Sequence, residues 1–494
     1  MEQGSAGLKN ALGELAGKGL VYGIGASFNG LVSFVLIPFF TNQLTAAEYG
    51  RYAIAETVLN LIIVLLGLGM NVAILARYPS VPPRERDEFF GSILTFMLLW
   101  TIAFEALFLS MARLFGGDVV PALGMPLFLL IAGISTLETV WLLFATLYRA
   151  KGAAWRYIGA SAVQAGVGLV VTLYLIARRG YRDEGILVGR LIGDITVLAT
   201  VVLPQLGRYH LTARLAPARE LLRIGVPLIP ATFASMWILT SPRLFIQWYG
   251  NVADVGVFAM SSKIAGVIQL LYIQPFAMAW MVSLFTIFKQ PNANRIYARV
   301  LTYYVLLGLT LAVMVGLLAQ AVVPLLAHQA FPLSSTIVLT VALAQVAAGL
   351  MYPLNIGSYV LEQTGKQMPA FVMSGLLITG AGIVMVSLWG ALGGAVALLL
   401  VYLVQALLLG RMNQKLYRIE FEWVRMFRIL CAFGTAFIAI HALRTVAPQP
   451  LASWLLAPAF LATVVLALFL FRFPDQAEIA NLRAVAARVL RTAH

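Results

Sequence analysis

Residues 47–53 read AEYGRYA, and residues 253–259 read ADVGVFA. At a constant offset of 206 residues, the two segments share an alanine, an acidic residue, a glycine, an aromatic residue and a second alanine. Each segment follows an apolar run, residues 19–40 for the first and residues 226–248 for the second. A repeat in equivalent positions indicates duplication of a larger unit, so we predict that the chain contains two copies of one helical lobe.

The surrounding sequence is too apolar for a soluble protein. Of its residues 61% are hydrophobic and 11% are charged, whereas soluble domains have roughly 25% charged residues. Apolar runs of about 20 residues, the length that crosses a bilayer, recur along the chain, and in lipid such runs become helices. We predict an all-α polytopic membrane protein with about 14 transmembrane helices. The predicted spans are 19–40, 52–76, 91–112, 126–147, 160–177, 185–203, 226–248, 257–287, 300–327, 336–358, 371–389, 391–410, 429–443 and 451–471.

The basic residues predict the orientation of these spans. With the N-terminus in the cytoplasm, cytoplasmic segments contain 25 of the 34 Lys and Arg residues, external loops contain six, and three lie within spans. Such an excess marks the cytoplasmic side of a membrane protein. Because the number of predicted spans is even, we expect a multi-pass membrane protein with both termini in the cytoplasm.

Both copies of the repeat have the same predicted orientation, so a pseudo-two-fold axis along the membrane normal should relate the lobes. The predicted units are an interfacial amphipathic helix (1–18), an N-lobe of spans 1–6 (19–203), a basic cytoplasmic linker (204–225), a C-lobe of spans 7–12 (226–410), spans 13 and 14 (411–473) and a cytoplasmic amphipathic helix (474–494).

Several function classes are excluded by composition. One cysteine, Cys431, and four scattered histidines predict neither a disulfide framework nor a metal centre. The sequence contains no G-x-x-x-x-G-K-[ST] motif for ATP, and we expect no cofactor. The net charge of +14 is divided among the loops instead of forming one patch, which argues against nucleic acid as a partner.

Short motifs along the chain resemble a known family. Residues 37–40 (IPFF), 44–53 (LTAAEYGRYA), 255–259 (VGVFA) with Lys263, and 361–366 (LEQTGK) are similar to polysaccharide flippases of the Wzx type. These belong to the multidrug/oligosaccharidyl-lipid/polysaccharide exporter superfamily. The resemblance implies two lobes around a central cavity lined by spans 1, 2, 7 and 8, alternating access, and an undecaprenyl-diphosphate-linked oligosaccharide as cargo. In many relatives an acid precedes the arginine of span 7, whereas here Pro242 precedes Arg243.

Charged residues within the spans are the candidate site, because each costs at least ~2.5–3.5 kcal/mol to insert. Arg243 and Lys263 lie about 8–9 Å inside the outer boundary at roughly 1.5 Å per residue, and Arg190 and Glu56 lie at similar depth. We call these four residues the polar layer. We expect Arg243 and Lys263, with Arg190, to bind the cargo diphosphate, because guanidinium groups bind phosphate bidentately.

Uncharged polar residues indicate which helix faces line the cavity. Asn29 marks such a face on span 1. On span 2, Asn60 continues the face of Glu56, together with Gly67 and Asn71 at helical spacing. Prolines in span 7 and Pro275 in span 8 predict kinks beside the site.

Each charged residue also has a purely structural interpretation. Arg190 and Asp194 are four residues apart and could neutralise each other on one helix. Arg243 and Lys263 could instead extend to the external interface. Glu56 could be solvated or pair with Arg51.

Glu138 and Asp194 are candidate ion-coupling residues. For Glu138 the alternative is a buried, hydrogen-bonded residue in helix packing. Glu105, a further acid within span 3, is equally compatible with a structural and a functional role.

The function that fits these features best is a lipid-linked oligosaccharide flippase for surface polysaccharide biosynthesis. Its partners would be the lipid-linked cargo, membrane lipids and the polysaccharide polymerase and export machinery. A multidrug or cation exporter of the same superfamily is the alternative, although such exporters typically have a carboxylate in span 1, and this span has none. A non-transporting polymerase, ligase or scaffold is the third hypothesis, but the predicted external loops are too short for an active site.

Overall fold

The computed structural model describes residues 34, 36–209, 216–326, 332–446 and 451–473, and this part of the chain contains helices and turns without strands. The helices of its first half are α1 (Ile37–Gln43), α2 (Ala46–Gly67), α3 (Met70–Arg77), α4 (Arg86–Val119), α5 (Met125–Ala150), α6 (Ala154–Arg179), α7 (Asp183–Val197) and α8 (Leu203–Leu206). Those of the second half are α9 (Ala216–Gly225), α10 (Ile229–Thr240), α11 (Pro242–Tyr249), α12 (Val252–Ala265), α13 (Gln274–Phe288), α14 (Ala293–Leu326), α15 (Ser335–Gly349), α16 (Met351–Leu354), α17 (Ile356–Val360), α18 (Met368–Leu416), α19 (Trp423–Val446) and α20 (Leu451–Leu470).

The helices confirm the predicted all-α polytopic membrane fold. Eleven helical segments of the described residues are long and apolar enough to cross a membrane, and Leu456–Leu470 is a shorter apolar helix. One of the eleven, Thr364–Leu416, contains two of the predicted spans. Most of predicted span 1 lies outside the described residues. With span 1 included, these segments agree with about fourteen spans.

Gly390 separates spans 11 and 12. Its backbone angles, φ 55° and ψ −134°, are sterically disfavoured for residues with a Cβ but accessible to glycine. The chain therefore reverses direction at this residue, within α18. Three residues later, a Cβ on Gly393 would lie 1.9 Å from the carbonyl oxygen of Met385. The two glycines therefore allow a tight helical hairpin within one apolar stretch.

The repeated segments form the contact between the lobes. A Cβ on Gly50 would lie 1.9 Å from the Val252 oxygen, and a Cβ on Gly256 would lie 1.9 Å from the Ala46 oxygen. Ala46 and Val252 are themselves 206 residues apart, so the contact is reciprocal, as a pseudo-two-fold axis between α2 and α12 requires. Both copies of the repeat therefore have a glycine at this position because the two backbones are in contact there.

The same repeat also begins both helices in the same way. The Thr45 side chain accepts a hydrogen bond from the Glu48 N–H, and the Asn251 side chain accepts one from the Asp254 N–H. These caps satisfy backbone donors that the first turn leaves free. We call the end that carries these caps the outer end, because the charge count predicts that it faces the periplasm, and the opposite end the inner end.

Span 2 is not one continuous helix. Helix α2 ends at Gly67, and Leu68 and Gly69 are left-handed, with φ of 46° and 67°. The expected stripe that joins Glu56 to Asn71 is therefore wrong beyond Gly67. Span 8 is interrupted as well, since residues Gln269–Ile273 form a π-helical turn directly before Pro275.

Spans 13 and 14 pack on the C-lobe. Helices α19 and α20 form an apolar cluster with α14. At its inner end, Glu422 accepts a hydrogen bond from Thr302 at 2.8 Å and lies 3.6 Å from Arg299. Part of the predicted linker forms the helix α9, which packs against α3 and α4 of the N-lobe. Glu220 of α9 forms an ion pair with Arg77 of α3 at 2.7 Å. The predicted amphipathic helices at 1–18 and 474–494 lie outside the described residues.

Candidate functional site

An ion pair between Arg243 and Glu56 joins the two lobes near the outer end. Arg243 follows Pro242 at the start of α11, and its Nη1 lies 2.9 Å from the Glu56 Oε2 on α2. The same nitrogen donates to the Ala53 carbonyl at 3.2 Å. Pro242 precedes the arginine, and the acidic partner of the arginine comes from the other lobe.

Glu56 is held at both oxygens. Its Oε1 accepts a hydrogen bond from the Tyr52 hydroxyl at 3.0 Å, one turn earlier on α2. The expected alternative pair with Arg51 is wrong, because Arg51 donates two hydrogen bonds to Asp183 at 2.8 and 2.9 Å. Arg51 thereby ties α2 to α7 within the N-lobe, and Glu56 remains for the contact between lobes.

Lys263 on α12 lies against aromatic residues of the N-lobe. Its Nζ is 5.3 Å from the ring centroid of Phe40 and 5.9 Å from that of Tyr49, and it donates to the Tyr49 hydroxyl at 3.5 Å. No carboxylate oxygen of the described residues lies within 4.0 Å of this nitrogen. Lys263 is thus a half-buried cation at the lobe contact, held by rings instead of an acid.

Arg190 pairs with Glu138 on a different helix. The Arg190 Nη2 on α7 and the Glu138 Oε2 on α5 are 2.5 Å apart. The expected pairing of Arg190 with Asp194 is therefore wrong. Asp194 is buried and accepts a hydrogen bond from the Gln164 amide of α6 at 2.6 Å. The ion-coupling roles of Glu138 and Asp194 stay predictions.

The polar layer forms around Glu56. Arg243, Lys263 and Arg190 are all close enough to act electrostatically on its carboxylate. The four residues, expected at one depth, therefore lie within electrostatic range of Glu56, and Arg243 is the one that contacts it. In this conformation two of the cations have acidic partners and Lys263 has none within salt-bridge distance among the described residues, so the positive surplus of the layer is at Lys263.

The two asparagines that were predicted to line the cavity, Asn60 and Asn29, have less structural support than the charged residues. Asn60 lies one turn inward of Glu56 on α2, is half-buried and makes no hydrogen bond within the described part of the chain. Asn29 lies outside the described residues. The sequence reasoning missed Tyr52, Tyr49 and Phe40 as partners of the layer. For Tyr52 a signal existed, because it precedes Glu56 by four residues on one helix face.

The layer is suited to exchanging one anion for another. Arginine donates in a planar fork that matches both a carboxylate and a phosphate, so a phosphate group could replace Glu56 at Arg243. Lys263 adds a second cation on the same side. Among the described residues, no group of three or more His, Cys, Asp or Glu side chains could hold a metal ion.

Comparisons with known proteins agree on one architecture. A family model described as "Polysaccharide biosynthesis protein" matches residues 15–281. The structure titled "Lipid II flippase MurJ, inward closed conformation" superposes with a TM-score of 0.73 and 14% identity, over 92% of this chain and 98% of that one. An inward-facing multidrug resistance MATE family transporter of the MOP superfamily gives a TM-score of 0.60 and 13% identity, over 78% of this chain and 94% of that one. No curated protein sequence matches this chain significantly. At these identities the structural likeness shows a shared fold.

Proposed function

Because this chain belongs to the polysaccharide biosynthesis protein family, we propose that it is a flippase for an undecaprenyl-diphosphate-linked oligosaccharide repeat unit. It would move the unit from the cytoplasmic to the periplasmic leaflet of the bacterial inner membrane by alternating access. The product would serve surface polysaccharide assembly, with the polymerase and export machinery as downstream partners. This role accounts for a lobed membrane fold that contains cations near the outer end.

The observation that carries the proposal is the ion pair of Arg243 with Glu56 at the lobe contact, with Lys263 and Arg190 near enough to act on the same carboxylate. A transporter of organic cations needs an acidic cavity, whereas a diphosphate needs positive groups. Each cation within a span costs at least ~2.5–3.5 kcal/mol to insert, so three in one layer require a compensating ligand or partner. Glu56 and Glu138 compensate two of them, and an anionic cargo is the compensating ligand for the third.

In the proposed mechanism the diphosphate competes with Glu56 for Arg243. The Glu56–Arg243 pair and the Gly50–Gly256 contact join the two lobes near the outer end. Cargo that enters from the inner side would engage Lys263 first, because no acid of the described residues occupies it, and would then replace Glu56 at Arg243. The loss of the pair between lobes would free the outer end to open. The sugars would occupy the cavity and the polyprenyl chain would stay in lipid.

Substitution of the two cations tests this proposal in cells. We expect Arg243→Ala and Lys263→Ala each to abolish export of surface polysaccharide without lowering the amount of protein in the membrane. Arg243→Lys should restore export only in part, because lysine lacks the bidentate fork. Arg113→Ala is the matched control, since Arg113 is an exposed residue of α4 outside the polar layer, and it should export normally.

Two outcomes would contradict the proposal. Normal export by both alanine variants would mean that the cations have only structural roles. Loss of cationic dye efflux in cells that lack the protein, with normal polysaccharide, would favour the multidrug exporter.

A further inference from the structure

The N-lobe contains a second polar cluster, between α4 and α5. Glu105 on α4 is 7% exposed, and its Oε1 lies 2.5 Å from the hydroxyl oxygen of Ser135 on α5, which is fully buried. Thr101 lies one turn from Glu105 on α4, and Thr139 lies one turn from Ser135 on α5; each is 2% exposed. The cluster therefore consists of one carboxyl group and three hydroxyl groups inside the lobe.

Glu105 has no charged partner among the described residues. The helices that pack against α4 are α2, α5 and α9. None of their described titratable or charged side chains acts on Glu105, and the only side chain that does is Ser135. Glu138 lies on the same helix as Ser135, but it is paired with Arg190. Because an isolated buried carboxylate is strongly disfavoured in a membrane, the neutral acid is the form that suits this position.

The hydrogen bonds also fit the neutral acid. A protonated Glu105 can donate to the Ser135 oxygen, and the Ser135 hydroxyl can donate to the Ile131 carbonyl, 2.8 Å away. The second carboxyl oxygen of Glu105 is buried and has no hydrogen-bond partner among the described residues. An ionised carboxylate accepts several hydrogen bonds, and here a single donor is in place.

The two threonines provide donors for the ionised form. Buried threonines elsewhere in this chain donate to the carbonyl four residues earlier, as Thr57 does to Ala53 at 2.9 Å. The hydroxyls of Thr101 and Thr139 have no such partner in the described part of the chain. Thr101 lies one turn from Glu105 on α4 and Thr139 lies one turn from Ser135 on α5, so these two O–H groups are the uncommitted donors of the cluster. The cluster can thus accommodate Glu105 with its proton and without it.

We propose that Glu105, with Ser135, Thr101 and Thr139, is a proton-binding site of the N-lobe whose proton is exchanged during the transport cycle. Helix α5 connects this site to the polar layer, because Glu138 follows Ser135 by three residues and pairs with Arg190. A movement of α5 that breaks the Glu138–Arg190 pair would also separate Ser135 from Glu105. The link to transport rests on the proposed function, whereas the bound proton does not.

Infrared spectroscopy of the purified protein tests the bound proton. At neutral pH the carbonyl band of protonated carboxylic acids should be present, and its Glu105 component should be lost in Glu105→Gln but kept in the control Glu138→Gln. Ser135→Ala should shift the band by removing its hydrogen-bond partner, which provides a second test if Glu105→Gln does not fold. A spectrum that neither substitution changes would overturn the proposal. Loss of the band on addition of Na⁺ at constant pH would overturn it too, in favour of a sodium site.

Reconstituted transport tests the exchange of the proton. A pH gradient imposed across proteoliposomes should change the flipping rate of the wild type, and Glu105→Gln should lose this response while it keeps flipping driven by a membrane potential. An unchanged response in Glu105→Gln would overturn the exchange. If the wild type flips no lipid-linked sugar, the proposed function fails, and the infrared result still decides whether Glu105 binds a proton.

Discussion

Glu56 connects the two lobes at the scale of single residues. One carboxylate oxygen binds Arg243 of the C-lobe and the other binds Tyr52 of its own helix. The side chain of Arg243 is 16% exposed and that of Glu56 is 29% exposed, so water screens the pair only in part. A charge-assisted hydrogen bond in such surroundings contributes about 1.5–3 kcal/mol, which is enough to hold a conformational equilibrium on one side.

Glu56→Gln should open the outer end more often. Loss of about 1.5 kcal/mol corresponds to a roughly tenfold shift towards the open conformation. A cysteine at Asn60, one turn inward of Glu56, reports the opening in a Cys431→Ser background, because it reacts with a membrane-impermeant maleimide only when the outer end opens. We expect roughly tenfold faster labelling from outside in Glu56→Gln. An unchanged labelling rate would show that the ion pair does not hold the lobes closed.

The sequence predicted a common depth for these charged residues but not how they pair. The constant rise of a helix places Glu56, Arg190, Arg243 and Lys263 at one depth once the span ends are known. Pairing depends on how helices rotate and pack, which a single sequence does not specify. Local spacing therefore favoured the pairs Arg190–Asp194 and Glu56–Arg51, whereas the partners in the structure are remote in sequence.

At the scale of helices, α2 and α12 form the close backbone contact between the two lobes. Their backbones approach so closely at Gly50 and Gly256 that neither position has room for a Cβ. Both glycines have ordinary helical conformations, so the space and not the backbone angle requires glycine there. The contact is reciprocal, and a methyl group at either position meets a carbonyl oxygen of the opposite lobe.

Gly50→Ala and Gly256→Ala should therefore have matching effects. Each added methyl group should disfavour the closed outer end by about 1–3 kcal/mol, as overpacking typically does. Labelling of the Asn60 cysteine from outside should increase, and polysaccharide export should fall. Gly166→Ala is the matched control, because a Cβ on Gly166 of helix α6 meets nothing within 4 Å. If all three variants behave alike, the glycine contact does not close the outer end.

The sequence predicted the helices better than it predicted the breaks within them. Apolar length predicted the spans, and the boundary between spans 11 and 12 was predicted at residue 390. The break of span 2 had a local signal in Gly67 and Gly69, but Leu68 itself gave none, because leucine rarely adopts a left-handed conformation. Its cause is remote: a Cβ on Gly225 would lie 2.3 Å from the Leu68 oxygen, and one on Gly69 would lie 2.5 Å from the Gly225 oxygen. A contact 157 residues away in sequence thus accompanies the bend.

For the whole molecule, composition and the internal repeat together predict the architecture. Low charge content and the length of the apolar runs leave few alternatives to a helical membrane fold, and the offset of 206 residues predicts two lobes in one orientation. The cargo could not be predicted in the same way. Lipid-linked sugars and drugs are distinguished by the sign and position of a few charges, and these depend on contacts between lobes.

The charge of the proposed cargo would let the membrane potential drive transport. A diphosphate diester carries about two negative charges, and each gains roughly 2.3 kcal/mol when it moves outward through a potential of about 100 mV, negative inside. Two charges would gain about 4.6 kcal/mol, a bias of roughly a thousandfold. In the proposed cycle the cations would move with the loaded cargo and oppose this gain, but the potential would return the empty, positively charged cavity inward.

Flipping in proteoliposomes is the most direct test of the central claim, that the cations of the polar layer carry an anionic lipid-linked sugar across the membrane. The protein is reconstituted with an undecaprenyl-diphosphate-linked oligosaccharide, and a potassium diffusion potential, negative on the cytoplasmic side, is imposed without a pH gradient. We predict that the potential accelerates flipping by the wild type and by Arg113→Ala, while Arg243→Ala and Lys263→Ala stay at the rate of protein-free liposomes. A wild-type rate no higher than that of protein-free liposomes, or equal rates in all four proteins, would contradict the claim.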